Sequence, residues 1–146
     1  MTTSPPRVLV LWLAGAAALV ALFGLLLVLA PVATRQGFSL LVYADPSAIE
    51  GFGPEAARYS SLAHAVLGGV MFGWGVALWM ITHHLVARGQ RLGWQIIAVS
   101  LAGWYVPDML YSLASGYWQN AVLNTVFAAL FVIPLAWLRP YLRTDG

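Results

Sequence analysis

Residues 92–138 read LGWQIIAVSLAGWYVPDMLYSLASGYWQNAVLNTVFAALFVIPLAWL. Two apolar runs, about 92–116 and 119–138, flank the short turn SGYWQN. Each run has the roughly 20 residues a helix needs to cross a hydrocarbon core. The period-two alternation of strands is absent, and a transmembrane barrel would need many more segments. Backbone groups in lipid must be satisfied within their own segment, so both runs are predicted as membrane-spanning helices. A turn this short makes them antiparallel neighbours.

The pattern repeats upstream. Apolar runs at about 8–33 and 54–87 give two more predicted spans, and the short ARGQR turn, with Gly89 as a helix stop, joins the second run to the third. The expected fold is therefore all-α: an integral membrane four-helix bundle with antiparallel neighbours, forming one domain over residues 1–146. The composition agrees. Of 146 residues, 61% are hydrophobic and only 8% charged, against about 25% charged in a soluble domain. The absence of cysteine excludes a disulfide framework, a thiolate metal site and a thiol nucleophile. The first run follows Arg7 and has alanines near its end, as a secretory signal does. It is about twice the usual apolar length for a signal and lacks a good cleavage site, so an uncleaved anchor is expected.

All seven basic residues are arginines. In a four-span frame Arg7, Arg88, Arg91, Arg139 and Arg143 share one side. Arg35, Arg58, Asp45, Glu50 and Glu55 share the other. The positive-inside rule then puts both termini in the cytoplasm and the chain in the plasma (cytoplasmic) membrane as a multi-pass protein of bacterial inner-membrane type. Trp12, Trp79, Trp94 and Trp137 fall near the inner ends of the runs, while Tyr43, Tyr59, Tyr117 and Trp118 fall near the outer ends, as aromatic belts do. The arginines are scattered between apolar runs, which argues against nucleic acid as a partner.

The outer link, residues 34–53, is long. Its FSLLVY stretch is expected to lie on the outer membrane surface. DPSAIE reads as a short helix whose Ser47 and Glu50 have capping-box spacing. In the second run, Ala65, Gly69, Gly73 and Ala77 recur every four residues and share a face. Such a stripe lets another helix approach closely. Contact within the monomer, against the first or the third run, is the expectation, with Ala14, Ala17, Ala21 and Gly24 of the first run as a plausible partner surface and a homodimer seam as the alternative.

One carboxylate interrupts the third run. Asp108 lies eight residues before Gly116, roughly 12 Å below the outer end of its helix. An aspartate at a helix centre costs about 2.5–3.5 kcal/mol on insertion scales, so it is expected to face the protein interior. Ser112 is one turn on. Asn120 and Asn124 return on the fourth run at similar depth, and His64 enters at that depth on the second. Trp104 and Tyr111 are adjacent apolar walls. The candidate ligand-binding residues are therefore Asp108, His64, Ser112, Asn120, Asn124, Trp104 and Tyr111. Pro107 and Pro134 interrupt two helices, and Pro107 opens a wedge beside Asp108. For the serine and asparagines, interhelical hydrogen bonding is the simpler role, whereas an intramembrane aspartate points to function.

No catalytic residue, metal site or cofactor is assigned. Walker, dinucleotide-binding, metalloprotease and nucleophile-elbow motifs are all absent. His83 and His84 sit on different faces at the inner end, where interface residues are expected. His64 with Asp108 would give only two ligands, one short of a catalytic zinc site. The expected function is binding of a small hydrophobic ligand, a lipid or a partner membrane protein through an outer-leaflet polar pocket. A proton-coupled carrier titrating at Asp108 is the alternative, and an intramembrane enzyme using His64 and Asp108 ranks third.

Overall fold

The computed structural model describes residues 4–143. Among them are five α-helices and no strand: α1 (Arg7–Leu29), α2 (Pro31–Tyr43), α3 (Pro54–His84), α4 (Arg91–Ala114) and α5 (Trp118–Leu138). Short 3-10 turns cover Ala48–Phe52, Val86–Arg88 and Arg139–Tyr141. All but α2 are long and apolar enough to cross a membrane.

The first run was expected to continue to residue 33, but α1 stops at Leu29. Pro31 has no N–H to donate and excludes helical backbone from the residue before it. Ala30 accordingly leaves helical geometry, at φ −132°, and Pro31 starts a new helix at its favoured first position. Thr34 steadies that start by donating its hydroxyl to the carbonyls of Ala30 and Pro31, at 3.1 and 3.2 Å. The FSLLVY stretch thus belongs to α2, in a segment expected to be a loop. That helix ends on Ala44, a non-glycine residue in the left-handed region (φ 56°).

The chain divides into two compact units, residues 19–75 and the remainder, with α1 and α3 contributing to both. In the larger unit the core holds Leu13, Leu78, Val86, Ile97, Phe131 and Leu138, all nearly devoid of exposure. Its α4–α5 turn is a Schellman motif. Gly116 takes φ +80°, its N–H reaches the Leu113 carbonyl at 3.2 Å, and the Tyr117 N–H reaches that of Ser112 at 2.8 Å.

The smaller unit is closed by a backbone contact. A Cβ placed on Gly68 would stand 2.5 Å from the Gly24 carbonyl oxygen, so α1 and α3 approach to a separation that only glycine permits. This is not the expected stripe. Gly69 and Gly73 have no described atom within 4 Å of where their Cβ would lie. Adjacent residues on a helix point about 100° apart, and the row that packs is that of Gly68.

Arg35 is buried in the same unit at 7% exposure. It donates through Nη1 to the Ala57 carbonyl at 2.8 Å and to Ser61 Oγ at 3.4 Å, and through Nη2 to Glu50 Oε1 at 3.2 Å. One guanidinium therefore ties α2 to the 3-10 turn and to the first turns of α3. The expected capping box does not form. Ser47 turns back to Asp45, whose Oδ1 accepts from the Ser47 N–H at 2.8 Å and hydroxyl at 2.7 Å. The Ser47 hydroxyl and then its N–H hold the Asp45 carboxyl below the usual carboxylate range.

Candidate functional site

The α4–α5 hairpin carries the densest polar chemistry. Three side-chain bonds set its register. From the start of α4 toward the Gly116 turn, Trp94 Nε1 donates to the Leu135 carbonyl at 2.8 Å, the Tyr105 hydroxyl meets Thr125 Oγ1 at 3.0 Å, and Asn120 Nδ2 donates to Asp108 Oδ1 at 3.0 Å. Partner numbers fall on one strand of the hairpin as they rise on the other, the signature of antiparallel helices.

Near the Gly116 turn Asp108, Ser112 and Asn120 form a closed triangle. Ser112 Oγ donates to Asp108 Oδ1 at 3.1 Å and accepts from Asn120 Nδ2 at 2.8 Å. The i,i+4 spacing puts Ser112 over Asp108 on one face of α4, and the tight turn returns Asn120 to their level. Ser112 is buried at 1% exposure and Asp108 is half-buried. Two donors on one oxygen replace part of the hydration the side chain gives up in apolar surroundings.

Asn124 lies one turn beyond Asn120, on the same face of α5. It is buried at 6% exposure, and its Nδ2 has no hydrogen-bond partner among the described residues. An unpaired buried donor of this kind costs about 1–3 kcal/mol.

The remaining candidates make other contacts. His64 belongs to the smaller unit. Its Nδ1 donates to the Ser60 carbonyl at 2.8 Å, and its ring meets Phe38 of α2 edge-on at 5.8 Å. Trp104 is half-buried against the edge of Tyr105, at 6.2 Å between ring centres. Tyr111 is 71% exposed and does not join the triangle.

Sequence reasoning did not anticipate the hollow beside this network. Along the α4–α5 seam runs a groove of about 540 Å³, with Trp94 toward the start of α4, Ala98, Ala102, Ala128 and Ala129 along its walls, and the Tyr105–Thr125 hydroxyl pair among its lining. A second hollow of about 360 Å³ adjoins Thr125 and reaches Met109 and Trp118. Trp94, Ala98, Ala102, Tyr105 and Met109 recur every three or four residues, so the face was present as spacing. Its alanines do not stand out by hydropathy from the rest of an apolar run. Neither hollow is lined by Asp108, Ser112, Asn120 or Asn124. The groove is walled by Trp94, Tyr105 and alanines, and Trp104 and Tyr111 are not among its lining residues.

Among the described residues no three His, Asp or Glu side chains gather into a metal-binding group. Compared with known protein families, curated proteins and solved structures, the chain matches none.

Proposed function

We propose that this is a non-enzymatic, multi-pass protein of the plasma (cytoplasmic) membrane, a four-helix bundle that binds a small hydrophobic molecule or lipid along its α4–α5 hairpin. Both termini lie in the cytoplasm, and the Asp108 network sits at outer-leaflet depth. The positions of the arginines support that orientation.

The observation that carries the proposal is the groove along the α4–α5 seam, whose lining residue Thr125 directly follows Asn124. Asn124 Nδ2 is buried without a partner among the described residues and lines neither hollow, so a ligand oxygen reaches it by displacing side chains of the seam and recovers the cost of the unpaired donor. The groove beside the network has the volume and the apolar lining typical of small-molecule sites. The ligand class is thus an amphiphile: an apolar body for the seam and a carbonyl, ester or hydroxyl oxygen for Asn124. Asp108 acts as the polar anchor that holds Asn120, and with it the outer turn of α5, in register.

Native mass spectrometry of the purified protein tests this. The wild-type chain should carry a co-purifying hydrophobic molecule, and Asn124→Leu should lose it while keeping its helical content. Ligand-free wild-type protein, or unchanged retention in Asn124→Leu, would refute the proposal. A partner membrane protein in place of a small molecule would register as added mass of protein size. Two copies joined through Ala65, Gly69, Gly73 and Ala77 would register as doubled mass. The open surroundings of Gly69 and Gly73 leave room for that association.

A second reading draws on Asp108 itself, the single carboxylate within a described apolar span other than Glu55 at the α3 start. A proton-coupled carrier would titrate there. Asp108→Asn would then abolish proton-linked flux in liposomes and spare ligand retention, which separates the two readings.

A further inference from the structure

Three stretches distant in sequence meet at one end of the larger unit. The Arg143 N–H donates to the Gly89 carbonyl at 2.8 Å, and Gln90 pairs with Arg143 as an isolated bridge. A side chain at Gly89 would stand 3.2 Å from the Tyr141 carbonyl and 3.7 Å from the Pro5 ring. Gly89 can serve as the meeting point because it turns through φ +72° and carries no Cβ. Trp12 and Trp137 meet edge-to-face at 6.4 Å and brace α1 against α5 near the same end.

All the arginines of this unit lie within two residues of that junction. Arg7 follows Pro5, Arg88 and Arg91 flank the Gly89–Gln90 pair, Arg139 precedes Tyr141, and Arg143 is part of the junction. Each of the five is exposed. None has an ion-pair partner among the described residues, where the one salt bridge is Arg35 to Glu50 in the other unit. Asp145 lies outside the described residues. Like charges drawn together without counter-ions repel, so the fold leaves this end seeking anions.

The chemistry of the cations narrows the partner. The chain contains no lysine. A guanidinium presents a planar fork that matches phosphate oxygens two at a time, where an ammonium is a point charge. If the four long helices cross a membrane, this end stands at headgroup level, with Trp12, Trp94 and Trp137 in the ring position of interfacial anchors.

We propose that the arginine junction binds the phosphates of anionic phospholipids in the adjoining leaflet, and that these headgroups clamp the N-terminal segment, the α3–α4 turn and the C-terminal segment together. The proposal rests on the membrane-spanning reading of the helices and is independent of any ligand at α4–α5.

The test uses the full chain in bilayer discs containing equal amounts of phosphatidylcholine and phosphatidylglycerol, with retained lipids counted by native mass spectrometry. Phosphatidylglycerol should be enriched on the wild type. Combining Arg88→Gln, Arg91→Gln and Arg139→Gln should reduce that enrichment, by up to about fivefold for each arginine removed. Raising salt should reduce it in the wild type, an arm that decides the matter if the triple variant fails to fold. In detergent, phosphatidylglycerol should raise the wild-type melting temperature, and inorganic phosphate or a short RNA at equal concentration should not. Equal retention of both lipids, enrichment that survives salt or the folded triple variant, or equal stabilisation by phosphate or RNA overturns the proposal. A chain that does not enter discs at all overturns the membrane reading beneath it.

Discussion

The α4–α5 hairpin and the smaller unit each hold two helices together, by opposite means. In the hairpin, side chains reach across at three levels, Trp94 to Leu135, Tyr105 to Thr125 and Asp108 to Asn120. Bonds between side-chain tips leave room between the helices, and the seam holds a groove of about 540 Å³. In the smaller unit α1 and α3 touch backbone to backbone at Gly24 and Gly68, where not even a methyl group fits. Long-armed polar contacts leave a helix pair with space for an occupant. Glycine contacts close that space and convert it to packing. The difference supports the proposal of a ligand at the hairpin and puts structural tightness in the smaller unit.

The largest expected effect tests the tight contact. Gly68→Leu should destabilise the protein by about 3 kcal/mol or prevent folding, since overpacking against backbone has no soft neighbour to yield. Gly69→Leu, one position on, should be close to neutral in the monomer because open space surrounds it. Reversible unfolding in mixed micelles, followed by circular dichroism, measures both. A neutral Gly68→Leu beside a damaging Gly69→Leu would break the comparison.

A smaller effect is expected at Arg35, the one long-armed contact inside the tight unit. Arg35→Met removes donors to the Ala57 carbonyl, Ser61 and Glu50 together, and should cost about 2 kcal/mol in the same assay, as loss of a charged hydrogen-bonding group does. Arg35→Lys should recover only part, because one ammonium cannot reproduce the fork. Glu50→Gln should cost little, since the Glu50 side chain is half exposed. If Glu50→Gln matched Arg35→Met, the ion pair and not the tether to α3 would be the source of stability.

These two regions also differ in how far they could be read in advance. The hairpin was legible because its polar residues are local in sequence: Asp108 and Ser112 lie one turn apart, and Asn120 lies just beyond a short turn that fixes its level. The pairing of Tyr105 with Thr125 follows from the same register, which counts outward from Gly116, but neither residue stands out in an apolar run. The smaller unit resisted for three physical reasons. Helix α2 ends on Ala44, so no glycine marks its stop. Gly68 and Gly69 are neighbours, and composition cannot say which of two rows packs. Arg35 looks like an ordinary interfacial charge until its partners, 15 to 26 residues away, are in place. Counting along the helices puts His64 at the depth expected for Asp108, but its contacts are with the Ser60 carbonyl and the Phe38 ring. Depth is set by position along the helix, whereas partnership also needs the right face.

The smallest effect sharpens the contrast between the chain's two well-bonded aspartates. Asp108 draws donors from two helices, while Asp45 draws both of its donors from one residue two positions on. The Ser47 donations depress the Asp45 pKa in the folded chain. A depressed carboxylate contributes stability above its unfolded pKa, near 3.9, and loses it as pH falls through the lower folded value. Ser47→Ala keeps the backbone donor and deletes the hydroxyl, so the folded Asp45 pKa should rise toward its ordinary value without fully reaching it. The stability difference between wild type and variant should then be present at neutral pH and vanish once pH is below both folded values. An NMR titration of the Asp45 side-chain carbon reads the first quantity, and unfolding at several pH values reads the second. Because Asp45 is fully open to solvent, the change should be small beside that at Arg35. A large change would mean that this turn, and not the Arg35 tether, is what holds α2 to the start of α3.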